Sequence, residues 1–315
     1  MELRETMNQT KIEQEYSIHP ATRMGHVSLT VASLENQILF YEKAIRLKLH
    51  WHEGNQAGLG AGGADLLQLT EEPNLKRYRG GTGLYHFAIV FPNRRELAKA
   101  MARLFALKIP NSPTDHVMTK TTYLSDPEGN GIELYCESPE DGSWTIKDGN
   151  YEARWADGRW SDGREALDVD ALFTHLKENP STGSGQARID APIPAETRMG
   201  HVHLHVRDID EAVNFYHSVL GFDVMGVSKG IGMAFVSAGG YHHHIGLNTW
   251  NGRSAPPPPP DAVGLRFMTV DYPNPSALAE ATARVENAGI PFNKTEEGIL
   301  LQDPSQNGVL LRSVG

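Results

Sequence analysis

Fourteen histidines stand against a single cysteine, Cys136, in this 315-residue chain. A metal held here would therefore take nitrogen and oxygen donors, and neither an internal disulfide framework nor a multi-thiolate zinc site can form. Three potential donors, His26, His86 and Glu133, fall at equivalent points of a strand-like pattern, 60 and 47 residues apart. Each occupies a place where the alternation would otherwise put an apolar side chain. A buried carboxylate such as Glu133 is costly unless it is paired or bound to a metal. The run His242-His243-His244 is a further concentration of imidazoles. It reads as a second, degenerate metal site, as a substrate-facing or interface element, or as structural.

The elements that position these residues come in repeats. Residues 22–27 read Thr-Arg-Met-Gly-His-Val and residues 197–202 repeat the same six letters, an offset of 175 that also relates Phe40-Tyr41 to Phe215-Tyr216. The chain is a tandem duplication. Each copy opens on an alternating stretch, His26 to Val31 or His201 to Val206, with the two-residue period of a strand buried on one face. A helical period follows, with Ser33 or Asp208 as N-cap, and further strands are expected around 64–70 and 231–248. A second unit then begins in each copy. In the first it comprises Gly83 to Val90, a helix over Arg95 to Leu107, and strands at 121–125 and 131–136; in the second, Gly264 to Val270, a helix over Ser276 to Ala288, and strands at 298–302 and 308–312.

These boundaries give an N-terminal arm (1–20), a first domain (21–140), a linker (141–194) and a second domain (195–315). Within the linker, Trp144, Trp155 and Trp160 are expected to pack onto a domain, Asp168 to Leu176 to form a short helix, and Ser181 to Gly185 to be flexible. Pro256 to Pro260 reads as a stiff spacer.

With both copies in view, the sequence resembles the vicinal oxygen chelate superfamily, which includes glyoxalase I, fosfomycin-resistance proteins and extradiol dioxygenases. The resemblance implies an α+β fold of tandem glyoxalase-like domains, each of two βαβββ units. It also implies that His26, His86 and Glu133 hold a metal. Two histidines and a carboxylate on one face suit Fe(II), with Mn(II), Zn(II) and Ni(II) as alternatives. The run from Pro113 to Glu133, with His116, Tyr123 and Asp126-Pro127-Glu128-Gly129-Asn130, is similar to that of catechol 2,3-dioxygenases, in which a Tyr lies ten residues before the Glu ligand. The match implies that Tyr123 and His116 line the substrate pocket as hydrogen-bonding or acid-base groups, although His116 sits two residues nearer the Tyr than the pattern expects. The linker and the phrase Tyr241 to Trp250 look like the two-domain members of that group.

The second copy departs from the pattern: His201 remains, but Phe267 and Leu310 stand where His86 and Glu133 would be. The expectation is a metal-binding first domain and a degenerate second one. The family's further acid-base histidine falls on Asp65 in the first copy and on His243 in the second. Either Asp65 handles the proton, or a histidine reaches across from the other copy, or the chemistry differs. Gln68 lies near the place of a fourth glyoxalase ligand, where it would serve as a weak donor or a pocket hydrogen bond.

Composition narrows the partners. A net charge of −10 with no basic run argues against nucleic acid and anionic membranes. No apolar stretch approaches the roughly 20 residues that span a bilayer. A polar start without a signal peptide, and an unpaired cysteine, point to the cytoplasm, and exposed sheet edges would allow a homo-oligomer. The expectation is an Fe(II)-dependent extradiol dioxygenase that cleaves a catechol with O₂. Its rivals are a glyoxalase-like isomerase or lyase and a non-catalytic binding protein of the bleomycin-resistance sort.

Overall fold

A computed structural model describes residues 16–177 and 188–315. Most of the expected N-terminal arm and the Ser181 to Gly185 stretch lie outside the described residues.

Four units of one plan follow each other. The first has β1 (Arg23–Val31), α1 (Leu34–Phe40), β2 (Lys48–Glu53), β3 (Gln56–Gly60) and β4 (Asp65–Glu71), then a short β5 (Lys76–Arg77). The second has β6 (Gly83–Phe91), α2 (Arg94–Ala106), β7 (Ser112–Asp115), β8 (Thr119–Ser125) and β9 (Gly131–Glu137). The joining segment holds β10 (Gly142–Lys147), β11 (Asn150–Trp155), β12 (Trp160–Ser161), β13 (Glu165–Ala166) and α3 (Val169–Phe173). The third unit is β14 (Arg198–His205), α4 (Ile209–Val213), β15 (Asp223–Ser228), β16 (Met233–Ser237) and β17 (Ile245–Asn248). The fourth is β18 (Ala262–Tyr272), α5 (Pro275–Asn287), β19 (Phe292–Lys294), β20 (Gly298–Gln302) and β21 (Gly308–Ser313).

The helices begin where the sequence provides caps. Ser33 Oγ accepts from the Asn36 N–H, and Asp208, Asn93 and Asn274 do the same at α4, α2 and α5. Both α1 and α4 widen into a π-helical turn, over Tyr41–Ile45 and Asn214–Val219.

The sheets do not respect the boundary between the copies. One runs β19-β20-β21-β18-β1-β4-β3-β2, with β5 beside β18; the other runs β13-β7-β8-β9-β6-β14-β17-β16-β15. Unit one thus pairs with unit four through β1 and β18, and unit two with unit three through β6 and β14, both antiparallel. The two-residue period then sorts the faces. Phe87, Ile89 and Phe91 of β6, Ile132, Leu134 and Cys136 of β9, and Val202 and Leu204 of β14 enter the main apolar core with Leu97, Met101 and Leu104 of α2. His86, Glu133, His201 and His203 fall on the opposite face.

Within each copy a tyrosine ties one unit to the next. Tyr41 donates to Asp126 Oδ2 at 2.9 Å, and Tyr216 donates to Asp303 Oδ2 at 3.1 Å. Both carboxylates are buried and close the turns before β9 and β21, accepting from the backbone and side chain of Asn130 or Asn307. The Asp-Pro-x-Gly-Asn signature is thus first a structural turn. Tyr41→Phe and Tyr216→Phe should each cost about 1.5–3 kcal/mol, the range for a hydrogen bond to a charged group. Urea unfolding of the single and double variants measures this, and unchanged midpoints would refute the tether.

Candidate active site

The site is assembled across the copies. A register shift between Met199 and His201 marks a bulge in β14 at Gly200, where a Cβ would collide with the Tyr135 hydroxyl. Beyond it, His201 faces the side chains that β6 and β9 project from the same sheet face. The donors form a triangle: His86 Nε2 to Glu133 Oε2 is 3.2 Å, His201 Nε2 to Glu133 Oε2 is 3.1 Å, and the two Nε2 atoms are 3.3 Å apart. All three residues are buried. Donors about 2.1 Å from one ion and roughly at right angles to each other lie about 3 Å apart, so the triangle fits a metal ion held on one face.

Protonation agrees with that fit. Burial works to raise the Glu133 carboxyl, but the facing His201 and His86 rings hold it well below the usual carboxylate range. Burial also pushes the His86 ring below the ordinary imidazole value. A carboxylate beside a neutral imidazole is what coordination requires.

The triad opens into a cavity of about 930 Å³. Tyr123, directly opposite Glu133 in the β8–β9 register, lines it together with His116. Tyr123 Oη and His116 Nε2 are 2.7 Å apart, and His116 Nδ1 meets the Gly163 carbonyl. Because a carbonyl only accepts, Nδ1 carries the proton, leaving Nε2 as the acceptor from the Tyr123 hydroxyl. Burial pushes the His116 pKa down and that of Tyr123 well up, so both are neutral near pH 7. Gly163 has a φ of +71°, and the Tyr151 ring occupies the space a Cβ would take.

The imidazole run divides. His242 and His243 line the cavity, and both group with His201 as possible donors. The His243 ring centroid is 4.2 Å from that of His201 and 4.5 Å from that of Phe235. His244 turns away and hydrogen-bonds Ser237 Oγ at 2.9 Å.

Of the residues read from sequence, the structure brings together His86, Glu133, His116, Tyr123 and His243. It does not bring His26, Asp65 or Gln68. His26 lies on β1 in the other sheet, with the Phe267 ring 5.8 Å away, and belongs to no metal-ligand group among the described residues. Burial lowers its pKa to about 4. Asp65 accepts from Trp51 Nε1 at 2.8 Å and from Gln68 Nε2 at 3.2 Å, and lies 2.8 Å from His50 Nδ1. The difference has one physical cause: β6 pairs across the copies to β14 rather than to β1. The third donor beside His86 and Glu133 is His201, the twin of His26 in the repeated hexapeptide. The candidate donor group, expected within the first domain, is formed by residues of both copies.

The model of the Glyoxalase/Bleomycin resistance protein/Dioxygenase superfamily matches residues 23–134 and 198–307. The chain belongs to that superfamily. It is 40% identical over 291 residues to the catechol-2,3-dioxygenase of Bacillus subtilis (strain 168), an alignment covering 91% of this chain and 96% of the relative. Two solved structures share the fold at low identity. A Bacillus subtilis protein assigned provisionally as a dioxygenase superposes with a TM-score of 0.62 at 11% identity, over 95% of this chain and 86% of that one. Glyoxalase I from Zea mays gives 0.54 at 15% identity, over 93% and 92%. The joining segment lies between the two matched stretches. No helix among the described residues is long and apolar enough to cross a membrane.

His86→Ala, Glu133→Ala and His201→Ala should each lose stoichiometric metal, whereas His26→Ala keeps it, as metal analysis of the purified proteins will read. Retention by His201→Ala, or loss only in His26→Ala, would overturn the cross-copy assignment.

Proposed function

We propose that the protein is an Fe(II)-dependent extradiol dioxygenase that cleaves a catechol with O₂. The observation that carries this reading is a buried triangle of two imidazoles and one carboxylate, with the Tyr123–His116 pair in the same cavity. The catechol-2,3-dioxygenase relative supports the same class of reaction. The proposed iron ligands are His86, His201 and Glu133; Mn(II) would suit the same donors. When bound, the iron supplies acidification of a catechol hydroxyl and a route for electrons between ring and O₂.

The remaining roles belong to the protein's own groups. His116 Nε2, with its tautomer set by the Gly163 carbonyl, is a neutral base able to take a proton through the Tyr123 hydroxyl. Tyr123, kept protonated by burial, gives its one hydroxyl hydrogen to His116 Nε2, so its oxygen is left to accept from a catechol hydroxyl held near Glu133. His243, neutral for the same reason, faces the cavity from the opposite copy and is the second proton carrier. It is the histidine that reaches across, in place of Asp65. Tyr85 and Trp250, with ring centroids 5.2 Å apart, line the cavity. A buried, unpaired Cys136 accords with a cytoplasmic setting.

Anaerobic loading with Fe(II), followed by catechol and then O₂, should give oxygen uptake in step with a yellow ring-opened semialdehyde. His243→Ala and Tyr123→Phe should lower kcat by about 10²–10⁴, the usual contribution of a positioned acid or base. Stoichiometric iron without O₂ uptake across a panel of catechols would sink the proposal and leave an isomerase, a lyase or a binding protein.

A further inference from the structure

The segment joining the copies is a built wall of the site. Strand β10 alternates, turning Trp144 and Ile146 inward, and pairs with β11 and then β12 in a three-stranded sheet. That sheet is anchored on both sides of the cavity. On one side β13 pairs with β7 of unit two; on the other Ile146 packs at Gly226 of β15, and Ser228 donates to the Gly149 carbonyl.

Two lines of ring contacts climb from the donor triangle. One runs from His201 through His243 and Phe235 to Trp144, with centroids 4.2, 4.5 and 5.4 Å apart, and ends on Tyr151, stacked on Trp144 at 5.7 Å. The other runs from His86 through His203 to Trp250, at 5.1 and 5.4 Å. Between them lies the cavity of about 930 Å³, near the top of the roughly 300–1,000 Å³ that encloses drug-sized ligands. A single dihydroxylated ring at the donors occupies only its floor. The outer part is bounded by Trp144, Tyr151, Trp160, Ile231 and Met233. The two charged side chains that the joining segment adds to the lining after β12, Asp162 and Arg164, are exposed.

Resting on the dioxygenase reading, we propose that this three-stranded sheet determines specificity, selecting catechols whose ring carries an apolar, ring-sized substituent that lies against Trp144, Tyr151 and Trp160. The wall is flat and aromatic, which favours stacked or edge-on rings over branched or charged groups. It stands outside both stretches matched by the superfamily model, so it is a feature of the joining segment and not of the shared fold.

The test compares unsubstituted catechol with 3- and 4-phenylcatechol, measuring kcat/KM in air and Kd for the metal-loaded protein with O₂ excluded. The better phenylcatechol should be favoured about tenfold or more on both scales, the lower end of what an added apolar contact supplies. Trp144→Ala should reduce both ratios about tenfold, and Trp144→Phe should restore most of the loss. Should Trp144→Ala fail to fold, Trp160→Ala removes a ring that is 58% exposed and should still lower both ratios. Equal preference in the parent protein, or ratios unmoved in the folded variants, overturns the proposal. Failure of the dioxygenase reading would look different: none of the three compounds is cleaved, while the Kd ratios still report on the wall.

Discussion

The antiparallel pairing of β6 with β14 is the constraint on which the rest depends. It joins the second unit of one copy to the first unit of the other, setting His203 opposite His86 and bringing His201 to Glu133. Glu133 is a fully enclosed carboxylate, and the two facing imidazoles make its charge tolerable. Breaking either partner leaves a buried charge uncompensated, which costs more than the pair itself contributes. Fold and site are therefore coupled: the strand pairing that closes the second sheet also completes the donor set.

The duplication supplies a control within the molecule. Strand β1 meets β18 by the same rule, with the same kind of bulge beside the first-strand histidine. There His26 meets the Phe267 ring, and Leu310 stands buried where the carboxylate would be. A phenyl ring and an isobutyl group fill the space with no charge of their own to satisfy, so the β1–β18 sheet carries no matching donor set. Its polar cluster gathers on the Asp65 carboxylate, which meets His50, Trp51 and Gln68. Meanwhile the Tyr41–Asp126 and Tyr216–Asp303 tethers keep each copy's units in order, so each copy contributes to both sheets without drifting apart.

Much of this was legible in the sequence, and the limit is physical. Alternation shows which face of a strand a side chain takes, and it placed His86 and Glu133 on a buried polar face. Caps at Ser33 and Asp208 and the helices near 94–106 and 275–287 followed from local chemistry. Edge partnership is a different matter, because a strand's sequence does not say which strand it hydrogen-bonds. His26 and His201 carry the same hexapeptide, so only the neighbours, Phe267 against His86, distinguish the two faces. Asp65 and Gln68 lie with His26 in the β1 sheet and away from the donor triangle. The joining segment was legible only as apolar hooks. Its strands are short, and their pairing depends on β7 and β15, which are distant in sequence.

The histidine excess now divides by function of place. His86 and His201 converge on Glu133, His116 is oriented by a backbone carbonyl of the joining segment, and His243 packs between a proposed ligand and Phe235. The joining segment thus touches the chemistry twice, once through Gly163 at His116 and once through Trp144 at Phe235. A change in how its sheet seats against β7 and β15 would move a proton acceptor and a wall of the cavity together. The setting of His116 and the aromatic wall are therefore mechanically linked through a segment that neither copy of the duplicated unit contains.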